Sequence, residues 1–259
     1  MNDIVGQSDI IFLTLDTLRY DVAQQLWMEG RLPNLSKYLS PNGWELRHSP
    51  GSFTYAAHQA FFAGFLPTPA RPGKHPRLFA SHFAGSETTM EGTFCFEAPN
   101  LVEGLKQVGY KTYCIGGVGF FNKQTALSSV FPNMFDESYW ASNFGVTEKE
   151  STRFQFEKAA ELLARKEDDI FLFINVSALH QPNFFYLEGA EGDTVESHAA
   201  ALEYIDSQLP ILMVALAKRK SSFVICCGDH GTAYGEGGYS GHRIGHPSVW
   251  EVPYADFLF

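Results

Sequence analysis

Residues 9–16 read DIIFLTLD, an apolar run that is rich in β-branched and aromatic side chains and ends in a carboxylate. A run of this kind predicts a buried β-strand, and the terminal Asp16 is also suited to cap a following helix. Residues 221–229, SSFVICCGD, repeat the pattern near the other end of the chain and finish at Asp229. The sequence therefore predicts two buried strands, each with an acidic residue at its carboxyl end.

The segments between these strands alternate between helical and strand-like patterns. Helical periodicity covers residues 101–108, 148–165 and 194–218, the last interrupted near Pro210, and apolar strand-like runs cover residues 111–118 and 169–178. Alternation of this kind predicts an α/β fold with a mostly parallel central sheet and helices on both faces. Such sheets bind ligands beyond the carboxyl ends of their strands. Because the short stretches with Pro and Gly look like loops rather than linkers, residues 1–259 are predicted to form a single domain.

The composition limits the partners and the compartment. A formal net charge of -10 and a pI of about 5.3 disfavour binding to nucleic acid or to an anionic membrane, since both need a basic face. Residues 1–6 lack a basic segment before an apolar stretch, and no run of about 18 apolar residues occurs. The expected protein is therefore cytoplasmic, with neither a nucleic acid nor a membrane as its partner.

Three side chains with metal-binding atoms follow the two predicted strands. A carboxylate at Asp16 is costly in a buried position unless it caps a helix, forms an ion pair or binds a cation. Asp229 and His230 add a hard oxygen and an imidazole nitrogen, and Gly228 and Gly231 on either side allow an unusual turn. One Asp-His pair alone is weak evidence. Three candidate ligands from distant parts of the chain nevertheless predict a metal site, with room for a hydroxyl as the fourth ligand.

A hydroxyl suited to that position stands at the start of a predicted helix. Residues 49–58, SPGSFTYAAH, form a turn that leads into an Ala- and Phe-rich helix ending near Gly64. A hydroxyl at such a helix start faces free backbone N–H groups and the positive end of the helix dipole, where an anionic ester is also favoured. Thr54 is therefore either a plain N-cap or a nucleophile that a metal contact would activate by lowering the pKa of its hydroxyl.

Several short motifs keep a fixed spacing along the chain. They are DTLR at 16–19, Thr54 with Gly64 and Pro67 after it, DHG at 229–231, GEGGYSGH at 235–242 and a VP pair at 252–253. Their joint spacing, from about residue 9 to the end, resembles the sulfatase-like branch of the alkaline phosphatase superfamily. The resemblance implies a metal-dependent hydrolase in which Thr54 is the nucleophile and the metal is held by Asp16, Thr54, Asp229 and His230.

The resemblance also assigns roles to several histidines. His242 takes the position of a family Lys or His that meets the charged group of the substrate, and His180, within ALHQP at 178–182, matches a mid-chain histidine segment. Both are therefore predicted to be catalytic. His58 takes the place of a family Arg, and His246 lies four residues past His242, so either could help to complete a second metal site.

Two departures from the family pattern narrow the chemistry. Maturation of a sulfatase to formylglycine needs Cys or Ser, then Pro two residues on and Arg four on, whereas this chain has Thr54, Ala56 and His58. True sulfatase activity is therefore not expected. Members with two zinc ions place a His four residues after a mid-chain Asp, whereas Asp206 is followed at that spacing by Pro210. We expect one divalent metal, Mn or Zn by preference with Mg or Ca as alternatives, because an imidazole ligand suits Mn and Zn better.

The sequence thus predicts a hydrolase that acts on a small anionic ester, either a phosphomonoester, a phosphodiester or a phosphonate. Two alternatives stay open. One is a phosphoethanolamine-type transferase that passes the group on Thr54 to another acceptor, and the other is a catalytically inactive subunit that only binds an anion. The presence of Thr54 together with all three candidate ligands argues against the inactive subunit. The usual carboxy-terminal subdomain of full-length sulfatases has no counterpart here, so the cleft is expected to be more open or to be closed by a partner.

Overall fold

The computed structural model describes residues 3–64, 77–79, 93–95, 99–165 and 169–259. Its strands, numbered along the chain, are β1 (Asp9–Leu15), β2 (Glu45–His48), β3 (Arg77–Phe79), β4 (Thr93–Cys95), β5 (Lys111–Ile115), β6 (Glu137–Tyr139), β7 (Ile170–Val176), β8 (Ser222–Gly228), β9 (Ala233–Tyr234), β10 (Ser240–Gly241) and β11 (Glu251–Leu258). Its α-helices are α1 (Tyr20–Met28), α2 (Thr54–Ala63), α3 (Leu101–Gln107), α4 (Ala126–Ser129), α5 (Ser151–Leu163), α6 (Val195–Leu216) and α7 (Pro247–Trp250). Both strands that were predicted to end before an acidic residue are present, as β1 and β8. Pro67 of the motif spacing lies outside the described residues.

Seven strands form the central sheet of the described chain, in the order β2-β11-β8-β1-β7-β5-β6. β1 pairs in parallel with β7 on one side and with β8 on the other, and β5 and β6 continue the parallel series. β11 and β2 complete the opposite edge in antiparallel pairing. The predicted α/β fold with a mostly parallel sheet is confirmed. Since β1 and β8 are parallel neighbours, the residues that follow them lie side by side.

Alternate side chains of β1 contribute to a hydrophobic core on each face of the sheet. Ile11, Leu13 and Leu15 belong to one core, which also contains residues of α1, α5 and α6. Ile10 and Phe12 belong to the other core, together with residues of α2 and α3. Because helices cover both faces, all of β1 is buried, and its sequence is apolar at successive positions instead of alternating.

Helix α6 runs through Pro210 without a break, so the predicted interruption there is wrong. Proline lacks the N–H that would bond the carbonyl four residues earlier, which in this helix belongs to Asp206. The side-chain amide of Asn34 donates to that carbonyl oxygen at 3.1 Å and replaces the missing helical bond. The buried Asp206 carboxylate also accepts the backbone N–H of Leu35 at 2.7 Å, so Asp206 anchors the turn that follows α1.

By length and composition, α6 is also apolar enough to cross a membrane. In the described fold, 50% of its most apolar window is buried, and the helix packs against α5 and α1. Core helices of globular domains meet the same two criteria, so the apolar composition of α6 has a structural reason within this domain.

Candidate metal and active site

Asp16, Asp229 and His230 meet at the carboxyl edge of the sheet. Asp16 directly follows β1 and Asp229 directly follows β8, and the parallel register of these strands places the two residues side by side. All three side chains are completely buried, and one ligand atom from each lies within 4.8 Å of the others. Nε2 of His230 is 3.6 Å from Oδ2 of Asp229 and 3.9 Å from Oδ1 of Asp16. The structure thus brings together the three candidate ligands, which we call the strand-end cluster.

The Thr54 hydroxyl faces the strand-end cluster from the start of α2. Its Oγ1 lies 3.3 Å from Oδ2 of Asp16 and 3.3 Å from Nε2 of His230. The N-cap position of α2 belongs to Phe53, and Thr54 is the first residue of the helix. Thr54 is therefore not the N-cap, and its hydroxyl points at the cluster instead.

Two carboxylate oxygens of the cluster have no hydrogen-bond partner among the described residues. Asp16 uses Oδ2 to accept the amide of Asn175 at 2.9 Å, and Asp229 uses Oδ1 to accept the backbone N–H of Thr17 at 3.1 Å. Oδ1 of Asp16 and Oδ2 of Asp229 are buried without a donor. Buried charged oxygens without partners are costly, and a divalent cation between them would compensate both. The residues present therefore fit the predicted metal.

Hydrogen bonding gives the His230 ring a lone pair that faces the cluster. Nδ1 lies 2.8 Å from the carbonyl oxygen of Gly231, which can only accept, so Nδ1 carries the proton and Nε2 is free to bind a cation. Burial lowers the pKa of His230, which favours this neutral form. Burial also raises the pKa of Asp16 to about 6 and that of Asp229 to about 7, and the charge of Asp229 adds to the effect on Asp16. A bound cation would favour the ionised carboxylates.

Two tight turns hold the ligands in place. Thr17 has a left-handed backbone with φ of 66°, which is uncommon for a β-branched residue and brings its N–H to Asp229. A Cβ at Gly231 would lie 2.1 Å from the carbonyl oxygen of Ser248, so only glycine fits where the chain turns after the cluster. The N-cap of α1 is Arg19, and the alternative interpretation of Asp16 as a helix cap is therefore wrong.

A buried amide that supports Asp16 was not predicted from the sequence. Asn175 lies on β7, the parallel neighbour of β1, and is completely buried. It donates to Asp16, and its own oxygen accepts the backbone N–H of Val118 at 3.0 Å. The signal that could have revealed it is a single amide within the apolar run IFLFINV. Asn175 therefore fixes the orientation of the Asp16 carboxylate, one of the candidate ligands.

His58 supports the backbone of Thr54. Its Nδ1 lies 2.7 Å from the carbonyl oxygen of Thr54, and its Nε2 lies 3.0 Å from Oγ1 of Thr14. Burial lowers the pKa of His58 to about 3, so the ring is neutral. His246 instead accepts the backbone N–H of Ser248 as the N-cap of α7. Among the described residues, the cluster whose geometry could hold a metal ion includes neither histidine.

His180 and His242 stand beside the cluster. The ring of His242 is 4.8 Å from that of His230 and 5.6 Å from that of His180, between centroids. Together with Thr54, His180 and His242 line a cleft of about 320 Å³. Nδ1 of His180 lies 2.6 Å from the carbonyl oxygen of Gln181, so its Nε2 carries the lone pair. The structure thus places both predicted catalytic histidines in the same cleft as Thr54.

Arg19 connects the start of α1 to the loop that carries His242. Its buried guanidinium forms ion pairs with Asp21 and Glu236, and Nη1 also donates to the carbonyl oxygen of Thr232 at 3.4 Å. Because Glu236 and Thr232 lie in the segment between the strand-end cluster and His242, these contacts fix the path of that segment.

We expect the metal-depleted protein to bind one divalent cation per chain, with Zn or Mn giving the largest gain in thermal stability. A cation at a hundred times its dissociation constant stabilises the native state by about 2.7 kcal/mol. Asp229→Asn keeps the side-chain size but removes a charged ligand, so it should lose most of the bound metal. Asp256→Asn, at an exposed carboxylate on β11, is the control. Metal content and thermal unfolding measure the effect, and equal metal content in the two variants would contradict the site.

Asn175→Leu is expected to destabilise the protein by roughly 1–3 kcal/mol and to weaken metal binding. The substitution leaves the buried N–H of Val118 without its acceptor and Asp16 without its amide donor. Urea unfolding and metal titration measure the two effects. Asn42→Leu, at an exposed position, serves as the control for the added apolar surface. Wild-type metal affinity in Asn175→Leu would show that the amide does not orient Asp16.

Known proteins share this fold. A family model described as Sulfatase matches residues 8–255, whereas no curated protein sequence matches the chain. Among solved structures, the C-terminal periplasmic domain of the phosphoethanolamine transferase EptC from Campylobacter jejuni has a TM-score of 0.67 at 15% identity, over 99% of this chain and 81% of that chain. The corresponding domain of EptC from Escherichia coli, in complex with Zn, has a TM-score of 0.61 at 14% identity, over 96% and 72%. The lipoteichoic acid synthase LtaP from Listeria monocytogenes has a TM-score of 0.63 at 16% identity, over 97% and 65%.

The predicted cytoplasmic location is contradicted by these matches. The EptC structures from both organisms are periplasmic domains. The prediction used the lack of a basic segment before an apolar stretch in residues 1–6 and the lack of a long apolar run. Neither feature specifies a compartment.

Proposed function

Because the chain belongs to the sulfatase family, we propose that it is a metal-dependent enzyme that takes a phosphoryl-linked group from a small anionic ester onto Thr54. The proposed reaction is that of a phosphoethanolamine-type transferase, in which a hydroxyl compound accepts the group, whichever substituent the phosphorus carries. Support for such an acceptor comes from the matched structures that are named as transferases. Hydrolysis, the main prediction from the sequence, uses the same residues with water as the acceptor and is the second candidate.

The observation that supports this proposal most strongly is the position of the Thr54 hydroxyl. Its Oγ1 is equally close to Asp16 and His230, at 3.3 Å from each, and the same cluster has two carboxylate oxygens that no described residue pairs with. A threonine that served only the helix would bond to the backbone of α2. The N–H groups and the dipole at the start of α2 favour the oxygens of a bound phosphate ester at the same place.

In the first step, Thr54 attacks the phosphorus of the ester. A divalent cation held by Asp16, Asp229, His230 and Thr54 would lower the pKa of the hydroxyl and balance the negative charge of the phosphate. A bond forms between Oγ1 and phosphorus while the bond from phosphorus to the leaving oxygen breaks. Oδ2 of Asp16 is the acceptor that the hydroxyl proton faces. His242, on the cleft side, can donate to a non-bridging oxygen or give a proton to the leaving oxygen.

In the second step, the acceptor hydroxyl attacks the phosphorus that is bound to Thr54. The Thr54 oxygen is released with the bonding electron pair and takes back its proton from Asp16, while the acceptor hydroxyl loses its own proton. Nε2 of His180 is suited to take that proton, because the Gln181 carbonyl holds the ring proton on Nδ1. An inactive anion-binding subunit would bind the ester but would not form the adduct.

The test is a pre-steady-state experiment with a p-nitrophenyl phosphodiester and the metal-loaded protein. We expect a burst of p-nitrophenol and a covalent adduct on the peptide that contains Thr54, detected by mass spectrometry. An added alcohol should speed decay of the adduct and appear in the product if the protein is a transferase, whereas water alone suffices for a hydrolase. Absence of a burst and of an adduct with Zn, Mn, Mg and Ca would refute the proposed function.

We expect phosphate esters to be turned over and sulfate esters to be poor substrates. Thr54 cannot become formylglycine, so the nucleophile is an alkoxide that displaces at phosphorus. The measurement compares kcat/KM for p-nitrophenyl phosphate, bis(p-nitrophenyl) phosphate and p-nitrophenyl sulfate in one metal-loaded preparation. A higher rate with the sulfate than with either phosphate would overturn this assignment.

A further inference from the structure

The cleft beside Thr54 has a wall with no role in the two steps above. The wall includes Val118, then Gly119 and Phe120 of the short turn that follows, Val146, and residues of α4 and of the segment that leads into it. The cleft volume of about 320 Å³ lies near the lower end of the range for small-molecule pockets. It therefore has room for one substituent of an ester whose phosphorus is at Thr54.

Four side chains of this wall are apolar, namely Val118, Phe120, Leu127 and Val146, and they stand beside the neutral side chains of Asn122, Gln124, Thr125 and Ser128. Leu127 is 46% exposed, so it presents apolar surface to the cleft instead of filling the core. The ring of Phe120 is 5.4 Å from that of Tyr55 and 6.4 Å from that of Phe53, between centroids. Its position is thus set by packing on α2, the helix that carries Thr54.

A capping box stabilises α4, the short helix that carries Leu127. The Thr125 side chain accepts the backbone N–H of Ser128 at 3.1 Å, and the Ser128 hydroxyl accepts the backbone N–H of Thr125 at 2.9 Å. A helix of one turn depends on such bonds, because it has few of its own. The backbone that presents Leu127 is therefore held in its helical turn by local hydrogen bonds.

No carboxylate, ammonium or guanidinium group belongs to the described residues that line the cleft. Lys123 is the charged residue between Val118 and Ser128 in the sequence. Its ammonium donates to Oγ of Ser138 at 2.9 Å and to the Ser138 carbonyl oxygen at 3.3 Å, so it is held outside the cleft. The titratable side chains of the cleft, His180 and His242, belong to the reaction centre.

We infer that this wall binds an uncharged aryl or alkyl substituent of the phosphate ester, in preference to a cationic substituent such as 2-aminoethyl. The inference rests on the proposed function, which places the phosphorus at Thr54. An apolar substituent is stabilised when it leaves water for the surface of Phe120 and Leu127. An ammonium group would lose hydration there, and the described wall offers neutral amide and hydroxyl oxygens but no carboxylate in exchange.

The test is calorimetric binding of three phosphonates to the Zn-loaded full chain: methylphosphonate, phenylphosphonate and 2-aminoethylphosphonate. Each has one substituent on phosphorus and none can be turned over. Differences in affinity therefore measure how the cleft binds the substituent and are independent of the reaction. We expect phenylphosphonate to bind roughly 10-fold more tightly than methylphosphonate. We expect 2-aminoethylphosphonate to bind no more tightly than methylphosphonate.

Leu127→Asp should remove the advantage of phenylphosphonate and increase the affinity for 2-aminoethylphosphonate roughly 3-fold to 10-fold. The affinity for methylphosphonate should not change, which shows that the variant is folded. Leu46→Asp is the matched control, because Leu46 is a leucine on β2 with a similar exposure of 50%. It should keep the wild-type order of affinities.

Tighter binding of 2-aminoethylphosphonate than of phenylphosphonate in the wild type would overturn the inference. Equal effects of Leu127→Asp and Leu46→Asp would also overturn it. If phenylphosphonate is preferred while Thr54 forms no adduct, the wall is supported and the covalent chemistry is refuted. If none of the three phosphonates binds, both proposals are refuted.

Discussion

Thr54→Ala is expected to lower kcat by roughly 10⁴-fold to 10⁶-fold, as when a covalent nucleophile is removed. The hydroxyl of Thr54 is the group that meets both Asp16 and His230, and alanine leaves no atom there to bond phosphorus. Thr54→Ser keeps a hydroxyl at the same position and should retain measurable turnover. Initial rates with a p-nitrophenyl phosphodiester, together with mass spectrometry of the adduct, measure the effect.

Metal content separates this chemical effect from a structural one. Asp16, Asp229 and His230 remain in Thr54→Ala, so the variant should bind the cation with nearly the wild-type stoichiometry. Unchanged turnover would exclude Thr54 as the nucleophile and direct attention to Ser52 in the preceding turn. A wild-type protein that binds anionic esters but turns none over would support the anion-binding subunit instead.

The strand ends could be predicted because hydrophobic patterning is a local property. β1 and β8 are covered by other elements along most of their length, so an acidic residue directly after each apolar run is conspicuous. Alternation of helices and strands predicts parallel pairing, and parallel strands bring their carboxyl ends to one edge. Asp16, Asp229 and His230 could therefore be placed at a common edge from the sequence.

The hydrogen bonds that support Asp16 and the helix around Pro210 could not be predicted. They join residues that are far apart in the sequence and lie in no motif. Asn175 is 159 positions from Asp16, and Asn34 is 172 positions from Asp206. The expected break at Pro210 follows from a local rule in which the lost helical bond stays unsatisfied. The amide of Asn34 supplies that bond from outside the helix, so the local rule fails.

The histidines show the same limit of sequence patterns. Spacing alone cannot distinguish His58 and His246 from His242, since each follows a motif residue at a short interval. The structure distinguishes them by the hydrogen-bond partners of their ring nitrogens. Both nitrogens of His58 are engaged by Thr54 and by a buried threonine, whereas Nδ1 of His242 is buried without a partner among the described residues.

His242 has the position of a donor to the substrate but an unusual protonation state. Burial, and then the neighbouring His230 and His180, lower the pKa of His242 to about 4. The ring is therefore neutral at pH 7 and can donate through a single N–H. A bound phosphate would raise this pKa through its negative charge and allow the ring to carry the proton that a general acid transfers. The two roles, neutral donor and general acid, predict different results when His242 is removed. Only loss of a general acid should lower the rate more for poor leaving groups than for good ones.

His242→Ala is expected to lower kcat/KM by roughly 10²-fold to 10⁴-fold for esters with poor alcohol leaving groups, which must be protonated as they depart. The loss should be smaller with p-nitrophenol, because its anion is stable without a proton. A series of phosphodiesters with leaving groups of graded pKa measures the dependence in both proteins. His246→Asn is the matched control, since asparagine keeps the cap of α7 and His246 is outside the cleft lining. It should keep the wild-type rates across the series. A His242→Ala loss that is equal for good and poor leaving groups would show that the ring stabilises non-bridging oxygens and gives no proton to the leaving group.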